Sequence, residues 1–437
     1  YTWDSAIAAK KIASTNITYA IPRRDWANST TYDMYEDNIS SSNATTSGAT
    51  NIFDSTFFFR TSDNRVYKVL DNNGGSAYSG AEPTSESTST FVLGGYTLKY
   101  MYSITASEQA SYLTTDFMPV STDSTVSSAA VDGSISSIIV TNTGSGLTNG
   151  TYYAAVYGDG TSAGTSSGAI VKISVASNVI SAVSTGNTGI QQAGAGYTFG
   201  TVNLGSGFTF SDTSLSSASA IGGSGAAISV VISPKGGHGS NAVTELGGHY
   251  VLLQSTLEGA DNDDFLTAND FRNINLVIDP TTFGTSTVGT ATTYRTTYAM
   301  KFSGSPGTFT ADETITQTNS DSFVATGKVV EYDSTLKILY YQQERFGGYG
   351  ALSSTGGQYA FSGTGTVTGG SSSATGTPDS SADSAVSLSG GNTITFTDGF
   401  ANPELQPDSG NIIYRENRKP ISRATDQTED IKIIVEF

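Results

Sequence analysis

Between residues 309 and 346 apolar and polar side chains alternate in three short runs, 313–317, 322–332 and 336–341, divided by turn residues at regular spacing. A period of two puts every second side chain on one face of a pleated strand, so these runs predict a β module. Residues 363–376, rich in Gly, Ser and Thr, continue the pattern with weaker strands that grade into a glycine-rich loop. At the end of the chain Ile431, Ile433 and Val435 alternate with Lys432, Ile434 and Glu436, a terminal strand with at least one apolar face. Helical periodicity is scarce. Thr2 stands where an N-cap would open a helix over residues 3–12, with Lys10 and Lys11 in its last turn, and residues 263–272 predict a second short helix or irregular turn.

The middle of the chain repeats itself imperfectly. The run at 133–146 (GSISSIIVTNTGSG) is echoed at 178–186 and 194–198, and 168–175 (GAIVKISV) is echoed at 225–232 (GAAISVVI). Each copy reads as short β-branched strands punctuated by Gly-x-Gly turns, where glycine supplies the positive φ that other residues resist. Two copies are too few for a solenoid, so a small sandwich or barrel is expected.

Composition agrees. The 437 residues include 49 Gly, 23 Tyr and 20 Phe, with 14% charged and 37% hydrophobic residues, a β-rich profile that suits thin sandwiches and small barrels. The length allows two to four domains. The formal net charge of -18 argues against nucleic-acid binding, which needs clustered Lys and Arg, and favours solubility. With no Cys, disulfides, thiolate metal sites and Cys nucleophiles are excluded. No run of 18 apolar residues is present, so no helical membrane insertion is expected. The chain opens at Tyr1 without a signal-peptide pattern or an initiator Met and reads as the ordered or processed part of something longer.

Charge divides the chain. Residues 121–234 hold one cation, Lys172, and residues 347–397 hold none. The expected organisation is a core β domain over 1–120, an inserted β module over 121–234, a second core part over 235–282, a second insertion with a small β module and Gly/Ser-rich loops over 283–398, and a C-terminal core segment over 399–437. The fold class is mainly β: a layered antiparallel β-sandwich core with few short helices and inserted small sandwich or barrel modules.

The sequence holds no recognisable catalytic constellation. His238 and His249 lack metal-ligand spacing and read as loop or turn histidines. The strings at 160–164 and 164–168 match Gly-x-Ser-x-Gly, but neither opens a helix. The acidic cluster Asp261, Asp263, Asp264 fails as an EF-hand because Leu266 and Arg272 stand where Gly and Glu are required, and it reads as a solvated loop. The glycine pairs at 144–146 and 158–160 read as turns, since no lysine and long helix follow them. Tyrosine abundance is read as strand packing ahead of sugar stacking. No catalytic residue, metal or cofactor is expected.

Two arginine-rich blocks remain. Residues 19–26 (YAIPRRDW) place Arg23, Arg24, Asp25 and Trp26 together, residue types enriched at protein–protein hot spots. The segment from Gly410 to Phe437 holds Arg415, Arg418, Lys419, Arg423 and Lys432, of 21 Lys and Arg in all. Buried arginines need carboxylates, and Asp25, Glu416 and Asp426 are the partners at hand. Residues 412–421 (IIYRENRKPI) and 426–437, taken with 19–26, resemble the baseplate wedge protein of T4-type contractile-tailed phages, the gene product eight family. Weaker likenesses lie at 65–70, 95–104, 117–120 and 271–278.

The resemblance implies a structural virion component of the tail baseplate, assembled in the bacterial cytoplasm, with a layered β-sandwich core. It implies a homodimer within each wedge whose partners are other wedge proteins, and no enzymatic activity. Arg23, Arg24, Asp25, Trp26, Tyr414, Arg415, Glu416, Arg418 and Asp426 are then candidates for core cohesion or wedge contacts. The chain departs from the family in lacking its N-terminal portion and in carrying the low-charge insertions. The alternative expectation is a tail-associated adhesin or glycan-binding virion protein that contacts the host surface through those insertions.

Overall fold

Short alternating runs become short strands, and the protein is mainly β, built from several antiparallel sheets. The computed structural model describes residues 2–160, 168–181, 189–202, 204, 221–257, 271–290, 295–343, 359–388, 392–421 and 429–437. Among them three short α-helices occur, Ala106–Tyr112 (α1), Ser124–Ser128 (α2) and Ala242–Leu246 (α3). The chain folds as two compact units, residues 18–253 with 433–437 and residues 1–17 with 254–432.

In the first unit the strands Phe58–Arg60, Arg65–Asp71, Tyr96–Ser103 and Phe91–Leu93 form a sheet in that order. Its two central strands are apolar on both sides because both sides are covered. Tyr67, Val69, Leu98 and Tyr100 pack with Tyr32, Phe59, Tyr78 and Tyr96, while Val66 and Tyr102 pack with Ile21, Phe58, Met118 and Leu246. Each such aromatic or aliphatic side chain contributes on the order of 2 kcal/mol by leaving water. A second sheet runs in the order Glu429–Glu436, Tyr250–Leu257, Ile17–Pro22, Phe117–Pro119 and takes up the expected terminal strand. The amide of Phe437 donates to His249 O at 2.9 Å.

The repeat-bearing residues form a sandwich within this unit. Strands Ile135–Ser145 and Ser224–Ile232 pair with each other, and Ile135 faces Ile232 at the base of the module. Opposite them Val179–Ile180, Ile170–Ala176, Gly150–Gly158 and Gly200–Val202 follow one another in a second sheet, with Ile190–Gln192 also on Ile170–Ala176. One apolar core holds the layers together, including Ile138 and Val230 from the first and Val156, Val171 and Ile173 from the second.

In the other unit the predicted runs become Thr314–Thr318, Val324–Asp333 and Ile338–Gln342, the middle of a seven-stranded sheet. Alternation sends Val329, Leu339, Tyr341 and Met300 to one core and Val330, Ile338, Tyr340 and Ala299 to another. The glycine-rich residues that follow supply strand Val367–Gly369 and, outside it, the edge strand Thr375–Gly376. A separate two-stranded ribbon, Phe271–Ile278 with Asn411–Ile421, completes the unit's longer strands.

The helix expected over residues 3–12 does not form. Only Trp3–Ser5 turns, as a 3-10 segment, and the Thr2 side chain makes no capping bond. Ten residues barely sustain a helix unaided, and tertiary contacts win here. Ala6 is extended, its carbonyl accepts from Thr296 Oγ1 at 2.8 Å and from the Gln342 amide, and Ala8 bridges Arg295. Of the second expected helix, Arg272 lies in the strand Phe271–Ile278, and residues 263–270 lie outside the described residues.

Candidate assembly interface

The block at 19–26 begins in an interior strand of its sheet and runs into the first unit's core. Ala20 and Ile21 are fully buried, and the chain then leaves strand Ile17–Pro22 with three polar residues in a row. Arg23 Nη2 lies 2.7 Å from Asp25 Oδ2, and Arg60 Nη2 lies 2.7 Å from Asp25 Oδ1. Arg23 Nη1 also donates to Thr114 O at 2.8 Å. Burial disfavours the Asp25 carboxylate, but the hydrogen bonds from Arg23 and Arg60 outweigh it and hold the group below its ordinary range.

Arg24 departs from expectation. No carboxylate lies within ion-pair distance of it among the described residues. Its guanidinium carbon sits 4.3 Å from the centre of the Phe58 ring, and Nη2 donates to Phe53 O at 2.9 Å. Burial pulls its pKa down to about 10, with Asp33 and Asp54 opposing from further off. A guanidinium tolerates this site because its flat face stacks on an aromatic ring and needs little water. Trp26 meets Tyr78 edge-on at 5.9 Å, and its indole nitrogen is buried without a hydrogen-bond partner among the described residues. These side chains make their described contacts inside their own unit.

The C-terminal arginines are arranged differently. Over the regularly paired residues 414–417 of Asn411–Ile421 alternation places Tyr414 and Glu416 on one face and Arg415 and Asn417 on the other. Arg418 grips Glu416 with two bonds, Nε to Oε1 at 2.7 Å and Nη2 to Oε2 at 3.0 Å, and Tyr414 donates to Oε2 at 3.3 Å. The Arg418 hydrogen bond lowers the pKa of Glu416. Arg415, Asn417 and Lys419 are exposed, and the side chains of Arg415 and Lys419 form no hydrogen bond or ion pair with any described residue. Asp426 lies outside the described residues.

A third polar cluster was not anticipated. Lys68 and Lys99 face each other across paired strands, and both are buried. Lys68 Nζ lies 2.9 Å from Glu245 Oε2 and 4.0 Å from the centre of the Tyr35 ring. Glu245 comes from α3, which Asn241 caps and Gly247 ends in a left-handed turn at φ 78°. A Cβ on Gly247 would stand 2.5 Å from the Phe53 ring, so glycine is required there. The second carboxylate oxygen accepts from the amides of Gly239 at 2.8 Å and Asn241 at 3.2 Å. His238 does sit in a turn, but it is buried against Tyr35 with Nδ1 4.0 Å from Glu245 Oε2. The available signal was a lysine inside each of two apolar runs, 65–71 and 96–103, which demands a buried partner.

Among the described residues no group of three or more His, Asp or Glu side chains could hold a metal, and no helix is long and apolar enough to cross a membrane. What the ribbon offers instead is exposed apolar surface at Ile412 and Ile413 and two cations, Arg415 and Lys419, with no ion-pair partner among the described residues. No curated protein and no solved structure matches the chain. The family model described as Bacteriophage T4, Gp8 matches residues 387–437, which include the longer ribbon strand and the C-terminal strand, and it ties this part of the chain to the baseplate proteins of phage tails.

Proposed function

We propose that this chain is a structural subunit of a contractile-tail baseplate wedge, homodimeric and without enzymatic activity, which joins neighbouring wedge proteins as the tail assembles in the bacterial cytoplasm. The observation that carries this reading is the ribbon Phe271–Ile278 with Asn411–Ile421. Its longer strand lies inside the matched segment, no described residue of either strand is fully buried, and two strands alone are marginal in water. Such a ribbon gains its stability by association, as the limb of a permanent assembly does. The test is a phage in which the gene is silenced. Electron microscopy should find no complete baseplates, and addition of the purified chain to the extract should restore them; complete baseplates without the chain defeat the reading.

The adhesin reading keeps one supporting observation. Tyr157 and Phe199 stand exposed on the 134–233 module, at 45% and 59%, where aromatic rings are available to a host-surface ligand.

A further inference from the structure

Within the wedge role proposed above, on which this rests, we infer that the outer edge of strand Asn411–Ile421 is a docking site for an acidic, extended segment of another baseplate protein, which adds to the ribbon as a third strand. The strand pairs on one side only, with Phe271–Ile278, and no backbone group of it hydrogen-bonds outside the ribbon among the described residues. Its free edge therefore presents unpaired donors and acceptors, most regularly over residues 414–417, where its register with the partner strand is unbroken between the two register shifts on either side, the template that strand addition uses. Lys419 and Pro420 at one end limit where an incoming strand can pair.

The side chains state the chemistry of the occupant. The ribbon carries Arg272, Arg415, Arg418 and Lys419 against the single carboxylate Glu416, in a chain whose net charge is -18. Glu416 is already held by Arg418, and the exposed side chains of Arg415 and Lys419 have no carboxylate partner among the described residues. On the same strand Ile412 and Ile413 are 42% and 60% exposed, which adds apolar surface to the strand before Arg415. An incoming strand with Asp or Glu at alternate positions meets Arg415 and Lys419 at cross-strand spacing. A second copy of this chain is the poorer occupant. An isologous contact repeats the same patch on both sides, and full-length self-pairing would set Glu416 against itself and bring a second Arg415, Arg418 and Lys419 to the same edge.

The test uses the full chain and the separately purified baseplate proteins of the same virion. A zero-length carbodiimide reagent joins an amine only to a carboxylate in direct contact. Peptide mapping should place the Lys419 product on an Asp or Glu of an extended segment in another protein. The double variant R415E/K419E should keep its melting temperature and lose at least about tenfold in affinity, the scale of a charge reversal at a paired site. Lysine at the mapped carboxylate should restore binding to the reversed chain. A Lys419 product on this chain's own acidic residues at 258–270, or on a second copy, overturns the inference. Unchanged affinity of the double variant overturns it while leaving the structural role standing; a wild-type chain that binds no baseplate protein overturns both.

Discussion

Lys68 Nζ lies 2.9 Å from Glu245 Oε2, and both side chains are shut away from solvent although 177 residues separate them in sequence. Burial lowers the pKa of Lys68, and the Glu245 carboxylate opposes that shift. Removing one member strands the other as an unpaired buried charge. K68M or E245L alone should destabilise the protein by about 3–5 kcal/mol, whereas the double variant K68M/E245L should recover much of that loss. Denaturant unfolding of the four proteins measures the coupling, and additive losses would show that the pair does not act as a unit.

His238 makes stability fall on mild acidification. Burial, followed by the charges of Lys68 and Lys99, holds it well below its ordinary value of 6.5, so it is neutral in the fold. Lys68, Lys99, Glu245 and Tyr35 are the groups that face it. The unfolded chain then binds a proton that the folded chain refuses, and stability declines as pH drops below 6.5 with a slope of up to about 1.4 kcal/mol per pH unit. Urea titrations at a series of pH values should show this slope in the wild type and a flatter curve in H238Q. Equal slopes in both would remove His238 from the cause.

Glu313 gives the opposite unit a different acid limit. Burial disfavours its carboxylate, but the amides of Thr310, Ser371 and Ser372 and the Ser372 hydroxyl bind it at 2.7–3.0 Å and bring its pKa down to about 2. A depressed carboxylate stabilises the fold above its unfolded value, here 4.5, and that contribution is lost as pH falls from there towards about 2. It amounts to about 3 kcal/mol. Gly369 leaves room for this carboxylate, since a Cβ there would come within 2.6 Å of its Oε2. Both E313Q and G369A should therefore unfold at lower denaturant concentration at pH 7 and lose the acid-dependent step; retention of the step would locate it elsewhere.

Much of the fold was legible because it is written locally. The runs at 313–317, 322–332 and 336–341 and the alternation at 431–436 became strands close to where their periodicity placed them, since a period of two is a property of neighbours in sequence. The helix expected at 3–12 failed because Ala6 and Ala8 find partners near residues 295 and 342, which local propensity does not see. The capping box of Thr105 and Glu108 that starts α1 is a local signal of the same kind, a threonine followed three residues later by a glutamate. Of the site, Arg23 with Asp25 and Arg418 with Glu416 could be paired by eye because each lies two residues from its partner. The perch of Arg24 on Phe58 and the Lys68 pair depend on the three-dimensional fold alone.

The 134–233 module can be removed without cutting a core. Ser233 N donates to Ser134 O at 2.8 Å, so a short glycine-containing turn can close the gap, and the apolar clusters around Phe58 and Tyr67 lie outside the module. The deleted chain should fold and bind baseplate proteins as the wild type does, because the ribbon belongs to the other unit. Phage carrying it should be scored for assembly and for adsorption. Tails that assemble but fail to adsorb would move the module to the host-surface reading.

The central claim is association, and sedimentation velocity addresses it most directly. The purified chain alone should sediment as a dimer, and mixed with the other wedge proteins of its virion it should move into a faster boundary that R415E/K419E fails to enter. A chain that stays monomeric and sediments unchanged beside every baseplate protein contradicts the account.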